Sequence, residues 1–482
     1  MAEVKQHNRG KKFAKDFGIY SIGVLGSKLI TFIMGPLYSH YVVPSDYGYY
    51  DLCLEFCLIL VPVVTLQLRD GTFRYLLETQ DSKERTRIVS FVYRTLFETA
   101  SITLIIAFFI SLFHPIQYLW YTVALLIIMS FYDVLAQVIR GLGNNKAFVM
   151  VGLTASFGIG VFSVIFVVWL KMGVLGIFLA NILARILSIT VVESWMRTFS
   201  RFFRIKVDLK AISKNMIKFC LPLVPVTLCG LLPPLLDRLF LKEIWSLEHA
   251  GIYAMAVRLA GIIHSVSIIF YQTWQENAIQ QYNSSDRDNF FSKVFNGYIY
   301  VLAIVLIGYV FFLKIIFPWL MAEKYQPCLP YLYPIGITWI IIAISNYFLL
   351  PYQCAKDTKS VIPSVIILII VNVGLNSLLV PIWKIWGIIA TGTIGYSLVT
   401  LYLWLDTRKY FTLHFYPRTL IPIFVILAGL IPFYYSTNHF FDILYLIVAM
   451  IIIFVALPTD FHDSILNKIK KVTHKRVTQK DL

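Results

Sequence analysis

The chain has 482 residues, 58% hydrophobic and only 14% charged, with a mean hydropathy of +0.74. Soluble proteins carry about a quarter charged residues, so the composition excludes a soluble globular protein and points to an integral membrane protein. The formal charge of +16 would suit nucleic acid, but the basic residues sit in loops between apolar runs, where cytoplasmic orientation accounts for them.

The N-tail (MAEVKQHNRGKKFAKD) is polar and basic, and the first apolar run lacks a small-residue cleavage site, so no cleavable signal is expected. A spanning helix needs about 20 mostly apolar residues. Fourteen runs qualify, at 17–42, 50–68, 90–113, 117–139, 147–170, 173–195, 216–241, 251–275, 294–317, 329–352, 361–383, 386–404, 419–435 and 441–457. The expected fold is therefore an all-α polytopic membrane protein. With the N-tail inside, most of the 42 basic residues fall in cytoplasmic segments. A miscounted span would invert every later loop and spoil that bias, so both ends are expected inside.

The outer loops are short, such as HPIQ at 114–117 and PIWKIW at 381–386. The longest polar link, 196–217, is basic and follows six spans. The expected organisation is a tail (1–16), a first lobe (17–195), this linker (196–217), a second lobe (218–404), a last helix pair (405–458) and a basic C-tail (459–482). The six cysteines form neither a CxxC nor a Cys/His cluster, so no metal site or disulfide framework is expected.

The lobes repeat. PSDYGYYDLCLEF (44–56) aligns with LEHAGIYAMAVRL (247–259) at an offset of 203, matching Gly48 to Gly251 and Tyr50 to Tyr253. Further on, Lys171 answers Lys384. Six spans separate the matching elements, so the repeats are parallel, related by a pseudo-two-fold axis along the membrane normal. The last two spans lie outside the repeat.

Charges at mid-membrane depth are costly and face a cavity or a partner. Glu98, Glu193 and Lys314 stand near span ends and can snorkel. Lys28 and Arg185 fall near mid-span, where snorkelling is hardest. Lys28 lies on a small-and-polar stripe of the first span, and Gly251, Ala254, Arg258, Gly261, Ser265 and Gln272 form a similar stripe on the eighth. Asp51, Glu55, Pro62 and Arg69 align on the second. Small residues alone would serve close helix packing; the charges need another reason. The offset of 203 places Glu55 opposite Arg258, so these two are expected to pair across the lobes and close an external gate. Lys28 and Arg185 have only Asp133 as a carboxylate at similar depth. A net-positive interior suits an anion, and a lipid-linked phosphate or diphosphate would justify the cations.

LDRLFLKEIWSLEHAGIYAMAVRLAGI (236–262) resembles the Asp-Arg…Gly-x-Tyr…Ala-x-Arg-Leu pattern around the seventh and eighth helices of Wzx-type polysaccharide flippases. GPLYSHYVVPSDYGYYDL (35–52) and WGIIATGTIGY (386–396) resemble further segments of that family, which belongs to the multidrug/oligosaccharidyl-lipid/polysaccharide exporter superfamily. The resemblance runs from residue 10 to about 410. It implies two six-helix lobes plus a C-terminal pair, a central cavity, and alternating access for undecaprenyl-diphosphate-linked oligosaccharide in a bacterial cytoplasmic membrane. Lys28, Arg185 and Arg258 would hold the anion. Glu55, Arg69, Asp133, Asp237, Arg238 and Gln272 are the gating or ion-coupling candidates, the ion being H+ or Na+ if there is one. No other cofactor and no nucleic acid is expected; membrane lipids and polysaccharide polymerase machinery are the expected partners.

Two other classes compete. A drug/cation antiporter favours cavity carboxylates over cations, whereas a lipid II flippase would share the cationic cavity. A membrane glycosyltransferase or polymerase needs catalytic carboxylates on a long external loop, which is not found here. No GxxxxGK[ST] loop occurs to bind a nucleotide.

Overall fold

The computed structural model describes residues 26, 30, 32–79, 81–199, 210–355, 357, 359–417, 420, 429–431, 434, 436 and 439–455. Among these residues every regular element is a helix. Helix α1 is described over 32–41, and the others are α2 (Pro44–Val64), α3 (Leu68–Glu78), α4 (Ser82–Phe113), α5 (Leu119–Gly141), α6 (Asn145–Ser163, continued by a π turn, Val164–Trp169), α7 (Val174–Met196), α8 (Lys210–Cys220), α9 (Leu223–Ile244), α10 (Leu247–Gln281), α11 (Arg287–Leu320), α12 (Leu329–Ala355), α13 (Ile362–Trp383), α14 (Ile385–Thr407) and α15 (His439–Val455).

Eleven helices among the described residues are long and apolar enough to cross a membrane. They coincide with the second to twelfth expected runs, so the chain is a multi-pass membrane protein. The runs at 17–42, 419–435 and 441–457 fall partly outside the described residues, and α15 covers most of the last. Three starts are fixed by side-chain caps, Asp81 for α4, Asn144 for α6 and Ser246 for α10, each accepting from a backbone N–H of the first turn. α4 turns Ile102, Ile105, Phe109 and Phe113 outward, each more than half exposed, as only a lipid-facing helix can. Trp120, Trp169, Trp319 and Trp383 are exposed at helix ends on one side of the bundle, where amphipathic rings settle at a membrane interface.

The spans pack as two sets, α2 to α7 and α9 to α14, meeting where α2 lies on α9 and α10. A single buried apolar core crosses that seam, including Tyr47, Tyr50 and Phe178 from one set and Met255, Leu259 and Tyr325 from the other. Within the second set, hydroxyl pairs Thr338–Thr393 and Ser345–Thr400, one heptad apart, tie α12 to α14.

The seam closes at the repeat-matched glycines. A Cβ on Gly48 would lie 2.6 Å from Gly251 N, and one on Gly251 would lie 1.7 Å from Pro44 O. Both obstacles are backbone, so α2 and α10 can approach this closely only with glycine at both places.

After α14 the chain runs extended along α11. The N–H groups of Thr412, His414 and Tyr416 donate to Asp288, Ser292 and Asn296, at 3.0, 2.9 and 3.0 Å. Four helical residues rise about 6 Å and two extended residues advance about 6.6 Å, so side chains four apart meet every second N–H. This strap directs the chain towards the last helix pair.

The repeat needs one correction. The counterpart of Lys384 is Gly173, not Lys171. Both are N-caps with the same backbone, φ 53 and ψ −127 at Lys384 against φ 57 and ψ −127 at Gly173. The register has slipped between the lobes, since Gly176 and Gly387 likewise both press on the backbone of the preceding helix. Lys384 thus holds a conformation suited to glycine, with its ammonium 4.2 Å from the Trp245 ring centroid.

Two outcomes are expected. Gly251→Ala or Gly48→Ala forces α2 and α10 apart and lowers the thermal unfolding midpoint in detergent, by a penalty of about 1–3 kcal/mol for overpacking. Lys384→Gly relieves backbone strain of about 1 kcal/mol or more and raises the midpoint, whereas Gly173→Ala lowers it.

Candidate functional site

The seventh span, α9, carries Pro233 and Pro234 inside the helix, followed at once by Leu235-Leu236-Asp237-Arg238. Arg238 leaves α9 towards α2. Its Nε donates to Asp51 Oδ2 at 2.9 Å, its Nη2 lies 3.1 Å from Glu55 Oε1, and its Nη1 donates to the Pro234 carbonyl at 3.1 Å. Asp51 and Glu55 stand four apart on α2, so both carboxylates face the same cation. The three side chains are only 5, 12 and 14% exposed, which makes this a buried ion triad linking the two sets of helices.

Asp237, one residue earlier, points the other way. It accepts from Asn372 Nδ2 (3.0 Å) and Asn376 Nδ2 (2.9 Å) on α13, and from the Tyr253 hydroxyl (3.2 Å) on α10. Among the described residues, three neutral donors and no direct ion pair hold this buried carboxylate. Asn376 Oδ1 and Thr391 Oγ1 are buried with no hydrogen-bond partner among the described residues. No group of three or more His, Cys, Asp and Glu side chains suited to a metal ion occurs among the described residues, so any ion at Asp237 would be held by amide, hydroxyl and carboxylate oxygens.

The expected Glu55–Arg258 pair is corrected: Glu55 meets Arg238. Arg258 instead donates to the Tyr47 hydroxyl at 3.2 Å and lies 5.1 Å from the Tyr38 ring centroid. The repeat explains the exchange. The offset of 203 that relates Glu55 to Arg258 also relates Gly35 to Arg238. In one half, a helix of the first position (α9) brings Arg238 to the carboxylates of α2. In the other, α1 offers Gly35 and Tyr38 to the Arg258 of α10, and a Cβ on Gly35 would lie 3.7 Å from Arg258 Cδ. Equivalent residues thus occupy equivalent contacts without touching each other.

Arg185, on α7, donates to the carbonyl of Asn181 at 2.9 Å and to its Oδ1 at 3.0 Å, with its guanidinium 6.0 Å from the Tyr132 centroid. Tyr38 and Tyr50 lie within electrostatic reach of both Arg185 and Arg258. Asp133 feels Arg185 but pairs directly with Arg69 at 3.2 Å, and Arg69 also reaches Asp70 at 3.3 Å. Gln272 belongs to α10, and Lys28 lies outside the described residues. The structure therefore joins Glu55, Asp237 and Arg238 in one network, and Arg69 with Asp133 in another.

Sequence reasoning missed Asn372 and Asn376 as partners of Asp237. Their signal was present as two amides four apart within the apolar run VIILIIVNVGLNSLLVPIW. Tyr47 was missed as the hydroxyl that receives Arg258.

Removing the triad's cation is the severe change. Arg238→Gln leaves two buried carboxylates uncompensated, a loss of about 3–5 kcal/mol. Adding Asp51→Asn and Glu55→Gln should recover part of it in thermal unfolding of the purified protein; no recovery would mean that Arg238 acts through packing alone.

Sequence and fold comparisons give the family and the fold. The family described as "Polysaccharide biosynthesis protein" matches residues 13–274, more than half of the chain. No individually curated protein matches the sequence. Among solved structures, the lipid II flippase MurJ in an inward closed conformation aligns with a TM-score of 0.68 at 16% identity, covering 92% of this chain and 99% of its own. An inward-facing multidrug transporter of the MATE family aligns at 0.57 and 14% identity, covering 81% and 97%. The MATE multidrug transporter DinF-BH aligns at 0.57 and 16%, covering 82% and 95%. The chain belongs to the polysaccharide biosynthesis protein family and has the fold of the multidrug/oligosaccharidyl-lipid/polysaccharide exporter superfamily.

Proposed function

We propose that this protein is a flippase carrying an undecaprenyl-diphosphate-linked oligosaccharide from the inner to the outer leaflet of the bacterial cytoplasmic membrane, for assembly of a surface polysaccharide. The observation that carries the reading is the seam. It is sealed at one end by Gly48 on Gly251 and the Arg238 triad, while Arg258 stands against Tyr47 and Tyr38 and Arg185 lies over Tyr132. With both termini cytoplasmic, as the basic loops favour, the sealed end is external. Outward opening then requires α2 to leave α9 and α10, which breaks the triad. The diphosphate is recognised by Arg258 and Arg185, together with Lys28; guanidinium groups suit it because they grip phosphate bidentately. No covalent step is involved, and the chain is a transporter and not an enzyme. Asp237 is the carboxylate for coupling to H+ or Na+, favoured by Asn376 Oδ1 close by, which has no hydrogen-bond partner among the described residues, and by its neutral set of donors.

A lipid II flippase is the second reading, favoured by the alignment with MurJ over nearly the whole chain. The family match favours the polysaccharide substrate. The two readings differ in the sugar and not in the anionic anchor.

Deleting the gene in its host decides between them. Inward-facing lipid-linked oligosaccharide should accumulate, whereas accumulation of lipid II would support the second reading. On complementation, Arg185→Ala, Arg258→Ala or Lys28→Ala should each lower export roughly tenfold or more, as expected for loss of a charge-assisted hydrogen bond. Full rescue by all three would sink the cationic site and leave the flippase reading standing.

A further inference from the structure

We propose that Tyr253 is the positioning residue that links the occupancy of Asp237 to the Arg238 triad, so that a cation arriving at one loosens the other. The proposal rests on the reading of Asp237 as the ion-coupling carboxylate.

Asp237 and Arg238 are neighbours in sequence, so on a helix their side chains leave about 100° apart. Arg238 reaches α2 and the seam; Asp237 reaches α13, deep within the second set of helices. A rigid helix carries both but cannot tell one side chain what the other has bound. Tyr253 of α10 touches both. Its hydroxyl donates to Asp237 Oδ2 at 3.2 Å, and its ring centroid lies 5.3 Å from the Arg238 guanidinium carbon. It also stands two residues beyond Gly251, where α10 is pinned against α2.

The chemistry sets a direction. An ionised Asp237 accepts hydrogen bonds from two amides and one hydroxyl. Asn372 and Asn376 both donate to Oδ1, whereas Oδ2 takes only the Tyr253 hydroxyl, so a sodium ion or a proton arriving at Oδ2 competes with that hydroxyl alone. The Tyr253 bond is the longest of the three, at 3.2 Å against 2.9 and 3.0 Å. It is also made by a group on a different helix from the two asparagines. When the hydroxyl is released, the ring is free to leave the face of Arg238, and the cation loses a contact that helps hold it against Asp51 and Glu55. The charged and titratable groups around Asp237 are Arg238 on its own helix, Tyr253 on α10, Tyr396 on α14 and, farther off, Glu55 on α2; α13 presents the two neutral amides. Arg238 stays charged throughout, so the carboxylate is the group that changes state.

The test uses the full-length protein in nanodiscs, with nitroxide labels replacing Asp46 and Glu248, exposed residues near the starts of α2 and α10. The half-buried Cys229 and Cys354 are removed so that labelling is specific. Pulsed dipolar spectroscopy reads the separation of the labels with and without sodium, and at low and neutral pH. In the otherwise unmodified protein, sodium or low pH should shift the population towards longer distances. Tyr253→Phe keeps the ring and removes the hydroxyl that holds it in place; it should populate the longer distance already without the cation and lose the cation-induced shift. Tyr253→Leu removes both and should populate the longer distance even without the cation. A Tyr253→Phe protein that responds to the cation as fully as its parent overturns the proposal while leaving Asp237 as the coupling group. A parent protein that responds to neither sodium nor pH removes Asp237 from that role, and the proposal falls with it.

Discussion

Two glycine residues without side chains set the geometry on which the rest of the seam depends. Where Gly48 meets Gly251, the backbones of α2 and α10 come closer than any Cβ would permit. That contact fixes the height at which the two sets of helices meet, and so decides which side chains face each other below it. One turn along α2 from Gly48 stands Asp51, and one further turn brings Glu55, both opposite Arg238. From Gly251 the corresponding steps along α10 lead to Ala254 and then to Arg258, whose neighbours include Tyr47 and Tyr38. A bulkier residue at the crossing would lengthen each of these distances together.

The charges inside the bundle fall into two regimes. Arg238 lies against two carboxylates and is almost fully buried; such a triad repays little of its desolvation cost as net stability. Its physical use is that it is costly to break halfway, so the seam is either made or open. Arg258 and Arg185 are held differently: Arg258 donates to a phenol and lies against a ring face, and Arg185 donates to an amide side chain and a carbonyl of its own helix. In the proposed flippase these two cations would serve the incoming anion, whereas a cation already paired with two carboxylates has little to offer one.

The spans were legible in the sequence because a membrane forces each crossing into a long apolar helix with its polar backbone satisfied internally. The eleven described spans stand where the apolar runs placed them, though α10 and α11 extend past the bilayer on polar turns that hydropathy alone had cut off. The offset of 203 matched Gly48 to Gly251 as equivalent positions, which the structure brings into contact, whereas the pairing inferred from it between Glu55 and Arg258 failed. The reason is geometric. Under a two-fold axis, equivalent residues touch only near the axis, and seven residues farther along each helix, about 10 Å, the helices have diverged. Repeat alignment shows which residues are equivalent, whereas contact requires knowing which helix fills the gap. Asn372 and Asn376 escaped for another reason: neutral amides in an apolar helix carry no charge anomaly, and they gain meaning only once α13 is seen against Asp237.

The departures from symmetry also bear on mechanism. If both lobes carried the same charges, the seam would hold two identical latches, and each would balance itself. Here α9 supplies Arg238 where α1 has Gly35, and α10 supplies Arg258 where α2 has Glu55. Exchanging cation for glycine and anion for cation leaves the carboxylates of the triad on one side of the axis and a cation among tyrosines on the other. The closed seam is thus electrically polarised across the axis that relates its halves. In the proposed transport cycle an anion would be drawn to Arg258, while a cation at Asp237 would reduce the negative charge beside Arg238. Both events would act on helices that meet at Gly48 and Gly251, so a single crossing point would receive the influence of two ligands of opposite sign.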